Sequence, residues 1–174
     1  MSQLPLQGVK ILDCTQFLSG PFCTMLLADM GADVVKVEKP GSGDGSRQQG
    51  PHINGISAPF LMINRNKRSM AIDLKRPQGR QTFARLIPKF DVLVENFRPG
   101  TMKELGLGYE DLRDHNPSMV YCSISGFGQT GPYSHRGGFD LVAQGMSGLI
   151  SVTGIPDGPP VKVGIPVADI SAGM

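Results

Sequence analysis

A single carboxylate, Asp169, stands in the segment Gly164-Ile165-Pro166-Val167-Ala168-Asp169-Ile170-Ser171-Ala172-Gly173, which is otherwise apolar and crowded with small residues. A carboxylate in such surroundings needs a partner or a task, because burying it unpaired costs several kcal/mol or raises its pKa until it neutralises. The small neighbours leave room for a bulky substrate to reach the carboxyl carbon, as a carboxylate nucleophile requires. The alternative is an N-cap, with Asp169 accepting hydrogen bonds from the free amides of a first helical turn. A second group with chemical potential is Asn64-Arg65-Asn66-Lys67-Arg68-Ser69, three cations within four positions, with Lys75 and Arg76 beyond. It reads either as a solvated turn or as a clamp for a polyanion such as the phosphates of a nucleotide tail.

Composition removes several function classes. The 174 residues, 40% hydrophobic and 18% charged, suffice for one core, so the chain is one domain or part of one. A net charge of +2 and 6% aromatic residues without tryptophan supply neither a basic stripe nor a stacking platform, which argues against nucleic acid as a partner. Cys14, Cys23 and Cys122 are odd in number and far apart, which suits reduced thiols in a cytosol better than a disulfide framework. His52, His115 and His135 lie in loop-like surroundings without Cys or His at metal-ligand spacing, so no metal is expected. The N-terminal Met-Ser-Gln-Leu-Pro-Leu lacks the basic start and apolar run of a signal peptide, and no run of 18 apolar residues occurs. The expected setting is cytoplasmic, without membrane attachment.

The elements that must position these groups alternate in type. Short apolar runs over 8–13, 32–38, 70–74, 91–95 and 119–124 read as strands. A helix is expected from Pro21 to Gly31, another over 77–88, two short ones over 101–105 and 109–115, and one over 137–148. Strand, helix, strand in this order builds an open α/β sheet, whose ligands gather at the carboxyl ends of the strands. Three loops therefore become candidate sites: Cys14-Thr15-Gln16-Phe17-Leu18-Ser19-Gly20, Asn96-Phe97-Arg98-Pro99-Gly100 and the glycine-rich Ser125-Gly126-Phe127-Gly128. None carries the G-x-G-x-x-G spacing of a dinucleotide fingerprint. Residues 40–60, rich in Gly, Pro, Ser and Asn, read as a long surface loop.

Taken together, Gly20-Pro21, Asn66-Lys67-Arg68-Ser69, Asp73-Leu74-Lys75, Val94-Glu95-Asn96-Phe97-Arg98-Pro99-Gly100, Leu105-Gly106, Ser125-Gly126-Phe127-Gly128 and Ala168-Asp169, with 8–13 and 27–40, resemble the family III CoA-transferases in their order along the chain. That family includes formyl-CoA transferase, carnitine CoA-transferase and the bile-acid-inducible CoA-transferases. The resemblance implies a Rossmann-like, open, mostly parallel sheet with flanking helices. It also implies that Asp169 is the nucleophile, passing CoA from an acyl-CoA to a carboxylic acid through an aspartyl anhydride and an aspartyl-CoA thioester. CoA is then a substrate and no permanently bound cofactor is implied. Its contacts would come from Phe17, Leu18 and Ser19, Lys39, Ile72, Asp73, Leu74 and Lys75, Asn96, Phe97 and Arg98, and Gly137, Gly138, Phe139 and Asp140, with the basic cluster on its phosphates.

Two departures bear on the chemistry. Related acyl-CoA racemases carry a histidine where this chain has Phe139, and an apolar side chain cannot act as general base. Several transferases carry an arginine where this chain has Glu104. Family chains are about twice as long, so residues 1–174 correspond to the N-terminal part of the large CoA-binding domain. The small domain and the C-terminal return segment would lie beyond it, and full-length members form interlaced homodimers. A racemase or epimerase of the same fold and a non-catalytic CoA-binding module are the competing readings.

Overall fold

Aliphatic runs too short for helices pair in parallel and build the centre of the molecule. The computed structural model describes residues 4–174; Met1, Ser2 and Gln3, part of the stretch read for a leader, lie outside the described residues. In chain order the elements are β1 (Lys10–Asp13), α1 (Ser19–Asp29), β2 (Asp33–Glu38), a hairpin of β3 (His52–Ile53) and β4 (Ile56–Ser57), α2 (Ala58–Asn64), β5 (Lys67–Ala71), α3 (Pro77–Leu86), β6 (Val92–Glu95), α4 (Thr101–Glu104), α5 (Tyr109–Leu112), β7 (Val120–Ser123), α6 (Asp140–Met146) and α7 (Val167–Gly173). The main sheet has the order β5-β2-β1-β6-β7, and every pairing in it is parallel.

Successive strand residues point to opposite faces, and both faces are buried. Leu12, Val35 and Leu93 join Phe83, Ile87, Leu107 and Leu112 on one side, while Ile11, Val34 and Val94 pack with Ala28 and Ala32 on the other. The chain leaves β1 toward β2 on one flank, and β6 continues to β7 on the other. The order therefore reverses between β1 and β6, and the carboxyl ends of these two strands open a crevice of the kind that binds ligands in doubly wound folds.

Several boundaries differ from the sequence reading for physical reasons. The third strand of the sheet lies at 67–71 rather than 70–74, so the cationic cluster is itself part of a strand. It occupies the edge, where charged side chains are tolerated and block further pairing. Residues 40–60 are not one loop: a 3₁₀ turn (Gly45–Gln48) and the β3/β4 hairpin interrupt them, and α2 begins at Ala58 with Ser57 Oγ accepting from the Phe60 amide. Helix α1 starts at Ser19, ahead of Pro21, and only the middle of the expected 137–148 helix forms.

Arg65, Lys67 and Arg68 of the basic cluster are each paired with a carboxylate of the chain rather than left free for a polyanion. The Lys67 side chain is 2% exposed; its ammonium lies 3.1 Å from Asp13 Oδ2 and donates to the Pro21 carbonyl and Asn64 Oδ1, and burial pushes its pKa down to about 8. Arg68 reaches both carboxylate oxygens of Asp33 at the amino end of β2, and Arg65 pairs with Asp29. Lys67→Glu therefore sets a second carboxylate beside buried Asp13 and should destabilise by about 3–5 kcal/mol or more, unfolding the protein in mild denaturant. Arg68→Glu, at an exposed pair, should change stability by less than about 1 kcal/mol, read from the same denaturation curves.

A second buried carboxylate, Glu38, accepts from Arg47 Nε and Nη2 at 2.6 and 2.7 Å, from Ser69 Oγ and from the Asp44 amide. Burial raises its pKa, but these donors outweigh it and hold the carboxyl at about 2. A depressed carboxylate stabilises the fold fully above its ordinary value of 4.5, and the contribution fades as pH falls through about 2. Urea midpoints taken from pH 6 to pH 2 should fall over that window, and Glu38→Gln should shrink the fall.

Candidate active site

The crevice at the strand-order reversal is a cavity of about 710 Å³, inside the range of small-molecule sites. Most of its wall comes from four places in the chain: the β1–α1 loop (Gln16, Phe17, Leu18, Ser19), the loop after β6 (Asn96, Phe97, Arg98, Pro99), the approach of 124–126 to 136–139, and α7 with Ala168, Asp169 and Ala172; Gln49, Thr101 and Ala143 complete it. Each is fixed by a specific contact.

Asn96 joins the two central loops. Its Oδ1 accepts from the Gln16 amide at 2.7 Å and its Nδ2 donates to the Gln16 carbonyl at 2.8 Å, a two-point match to the backbone of one residue. The Asn96 side chain is thus engaged in shaping the wall. Beneath the same loop, Glu95 Oε2 accepts from the Phe97 amide, and burial raises the Glu95 pKa against the hydrogen bonds from Ser123 and Phe97.

Across the cavity, Gly126 and Gly138 meet backbone to backbone. A Cβ on Gly126 would lie 2.4 Å from the Gly138 Cα, so only glycine allows the loop after β7 to close on the segment leading into α6. Arg98 packs against Gly137 beside this contact.

Asp169 is the third residue of α7, and its carboxylate does not cap the helix. That task falls to Asp140, whose Oδ1 accepts from the Ala168 amide at 2.8 Å and from the Asp169 amide at 3.4 Å. Asp140 Oδ2 accepts from Nε2 of buried Gln144, and Gln144 Oε1 accepts from the Val163 amide, so one relay sets the whole approach to α7. At the far end of α7, Gly173 lies against the Ser19 carbonyl, where a Cβ would come within 2.5 Å. The Asp169 carboxylate accepts no hydrogen bond among the described residues. Its pKa is raised, first by burial and then by the neighbouring Asp140 charge.

Of the residues named from the sequence, Phe17, Leu18, Ser19, Asn96, Phe97, Arg98, Gly137, Gly138, Phe139 and Asp169 all line this one cavity. Six do not. Lys39 is exposed just past β2, and Ile72, Asp73, Leu74 and Lys75 follow β5 along the same carboxyl edge of the sheet. Ile72 is buried in the core, and Asp73 Oδ1 accepts from the Lys75 amide. Asp140 lies behind α7 as its cap rather than in the wall. The sequence reading missed Gln49, Thr101, Ile124, Arg136 and Ala143 as lining residues, and it noted Ser125 only as part of a glycine-rich loop. The Ser125 hydroxyl oxygen is buried without a hydrogen-bond partner among the described residues, and neither Arg98 nor Arg136 has a carboxylate partner among them. The lining holds one carboxylate and no histidine.

Comparison with known proteins agrees with this geometry. The chain is 51% identical over 174 residues to the mouse succinyl-CoA:glutarate CoA-transferase, covering 99% of this chain and 40% of the relative. It is 45% identical to the acetyl-CoA:oxalate CoA-transferase of Acetobacter aceti, covering 98% and 44%. The crystal structure of a CAIB/BAIF family protein from Brucella suis superposes with a TM-score of 0.92 at 44% identity, covering 97% of this chain and 46% of that one. The chain thus spans less than half the length of these relatives. The model of CoA-transferase family III matches residues 6–174, and the chain belongs to that family.

Proposed function

We propose that the cavity is the CoA-transfer site of an acyl-CoA:carboxylate CoA-transferase and that Asp169 is its nucleophile. The observation that carries this reading is a carboxylate without a hydrogen bond among the described residues, held by α7 among small residues on the wall of a roomy cavity whose lining also holds two guanidinium groups without carboxylate partners.

The reaction needs no external base. The Asp169 carboxylate attacks the thioester carbonyl and expels CoA thiolate, leaving a mixed anhydride; the thiolate attacks the aspartyl carbonyl, releasing the donor acid and forming aspartyl-CoA. The acceptor carboxylate then repeats both steps in reverse order and leaves as the new acyl-CoA, with Asp169 regenerated. Ala143, Ala168 and Ala172 in the lining leave access to the carboxyl carbon. A raised pKa makes the carboxylate a stronger nucleophile, provided that the working pH stays above it. Arg98 and Arg136 are suited to anionic parts of CoA or of the acid, and Lys39 and Lys75 lie along the edge toward which the nucleotide end of CoA would run. The relatives whose names specify succinyl-CoA, glutarate and oxalate make short dicarboxylic acids the favoured acyl class. The exposed apolar side chains of Phe139, Val152 and Ile155 support completion of this body by further chain and by a second copy, as in an interlaced dimer.

The racemase reading requires a proton-transfer partner opposite the thioester. Phe139, which stands where the racemases carry their histidine, lines the cavity, and no histidine is among the lining residues, which favours transfer. Incubation with succinyl-CoA followed by hydroxylamine should leave a hydroxamate confined to Asp169 on peptide mass spectra, whereas a passive binder or a racemase would give none. Asp169→Ala should abolish transfer while CoA binding stays within about threefold of wild type. Retained transfer in that variant would sink the mechanism. Asp140→Asn keeps an acceptor for the α7 amides but removes the charge that helps raise the Asp169 pKa, so the acid limb of kcat/KM should move to lower pH. An acid limb that stays in place or moves up would show that the Asp140 charge does not act on the nucleophile.

A further inference from the structure

We infer that the buried pair of Lys36 and Asp44 is a positioning device for the binding site, setting the β1–α1 loop in the shape that walls the cavity. The inference rests on the reading of that cavity as the CoA site.

Both partners are almost without solvent: each side chain is 1% exposed, and Lys36 Nζ lies 2.8 Å from Asp44 Oδ2. A buried pair gains little over well-packed apolar residues in stability, so its presence asks what the two charges hold. They hold opposite ends of one tripeptide. Lys36 Nζ donates to the Thr15 carbonyl at 2.7 Å, and Asp44 Oδ1 accepts from the Phe17 amide at 3.1 Å. Between them, Asn96 takes both backbone groups of Gln16, and Asp13 Oδ1 accepts from the Thr15 amide. The backbone from the Thr15 amide to the Phe17 amide is therefore bonded at every polar group.

That saturation matters because Phe17 has φ 61°, in the left-handed region where a side chain other than glycine is strained. Such a residue persists only when its surroundings over-determine it, and such positions cluster at functional sites. Here the conformation presents a half-exposed Phe17 to the cavity, with its ring over Gly45, where a Cβ would lie 2.6 Å from the ring tip. Asp44 also accepts from the Ser46 amide and hydroxyl, as a plain turn residue would. A turn alone needs neither the lysine nor Phe17. The pair links the 43–49 segment, which contributes Gln49 to the cavity, to the loop on which Phe17 and Leu18 stand.

The test compares two variants of equal charge. Lys36→Met with Asp44→Asn removes the buried charges and keeps an acceptor for the Phe17 amide; Lys36→Met with Asp44→Leu removes the acceptor while keeping the same branching of side-chain heavy atoms. In the ligand-free protein, hydrogen exchange at the Phe17 amide should be at least tenfold faster in the leucine variant than in the asparagine variant, with β6 amides unchanged. By calorimetry, free CoA should bind the leucine variant at least tenfold more weakly than the asparagine variant. Equal protection in both overturns the inference, as does faster exchange with equal CoA affinity. Wild-type protein that binds no CoA overturns the reading of the cavity instead, and the exchange comparison then still decides whether the pair sets the loop. Should both double variants unfold, Phe17→Gly decides: it relieves the strain, so a higher Tm with weaker CoA binding supports the inference and unchanged affinity overturns it.

Discussion

The hydrogen bonds that converge on the Asp13 carboxylate tie together the elements from which the β1 side of the cavity is built. Asp13 has no exposed surface at the carboxyl end of β1; its Oδ1 accepts from the Thr15 amide and hydroxyl, and its Oδ2 accepts from Thr24 Oγ1 of α1 and Lys67 Nζ of β5. One side chain thus ties the central strand, the first helix and the edge strand to a single point. Burial works against its charge, but Lys36, Lys67 and the two threonine hydroxyls prevail and keep the pKa below its ordinary value. An apolar cluster could supply the same cohesion without fixing direction. Directional bonds to a charge fix where α1 starts and how the β1–α1 loop leaves the sheet.

From that point order spreads outward by shared partners. Lys67 also holds the Pro21 carbonyl, Asn96 clips the loop after β6 onto Gln16, and Gly173 seats α7 on the first turn of α1. Several polar groups facing the cavity have no such partner: the Asp169 carboxylate and the Ser125 hydroxyl accept or donate no hydrogen bond among the described residues, and the guanidinium groups of Arg98 and Arg136 lack carboxylate partners among them. These unmet groups stand where a ligand can meet them.

The legible parts of this molecule were those whose environment is uniform along the chain. Strands β1, β2 and β6 are buried over most of their length and mainly aliphatic, so they, together with the half-buried edge strand β7, could be found within two residues of their ends. Edge strand β5 defeated the same reading because Lys67 and Arg68 look like a loop until Asp13 and Asp33 are seen beside them. The cluster was recognised as cationic but its destination was misjudged, since spacing reports where charges lie and not which carboxylates the fold brings to them. Lys36 drew no notice as one polar residue in Val-Val-Lys-Val, and its partner follows eight positions later in a glycine-rich segment that carries no pattern. Asp169 was legible because small residues surround it locally. The role of Asp140 was not, because the amides it caps lie 28 residues away.

Under the proposed function, Asp13 and Asp169 give one residue type opposite duties. Asp13 is fully and Asp169 partly withdrawn from water, which by itself raises a carboxylate pKa. Asp13 is supplied with two ammonium groups and three hydrogen-bond donors, so it stays ionised, saturated and unreactive. Asp169 receives none of these; the neighbouring charge is another carboxylate, and its pKa rises. An anion that is poorly solvated and unbonded retains its electron pairs for a carbonyl carbon, whereas the same group in the Asp13 setting would have to break several charge-assisted bonds before it could attack. Helix α7 adds orientation: with Asp140 on its amides, the segment is held without drawing on the carboxylate itself. If Asp169 is the nucleophile, the difference between the structural and the reactive carboxylate in this fold lies in the donors that Asp13 receives and Asp169 is denied.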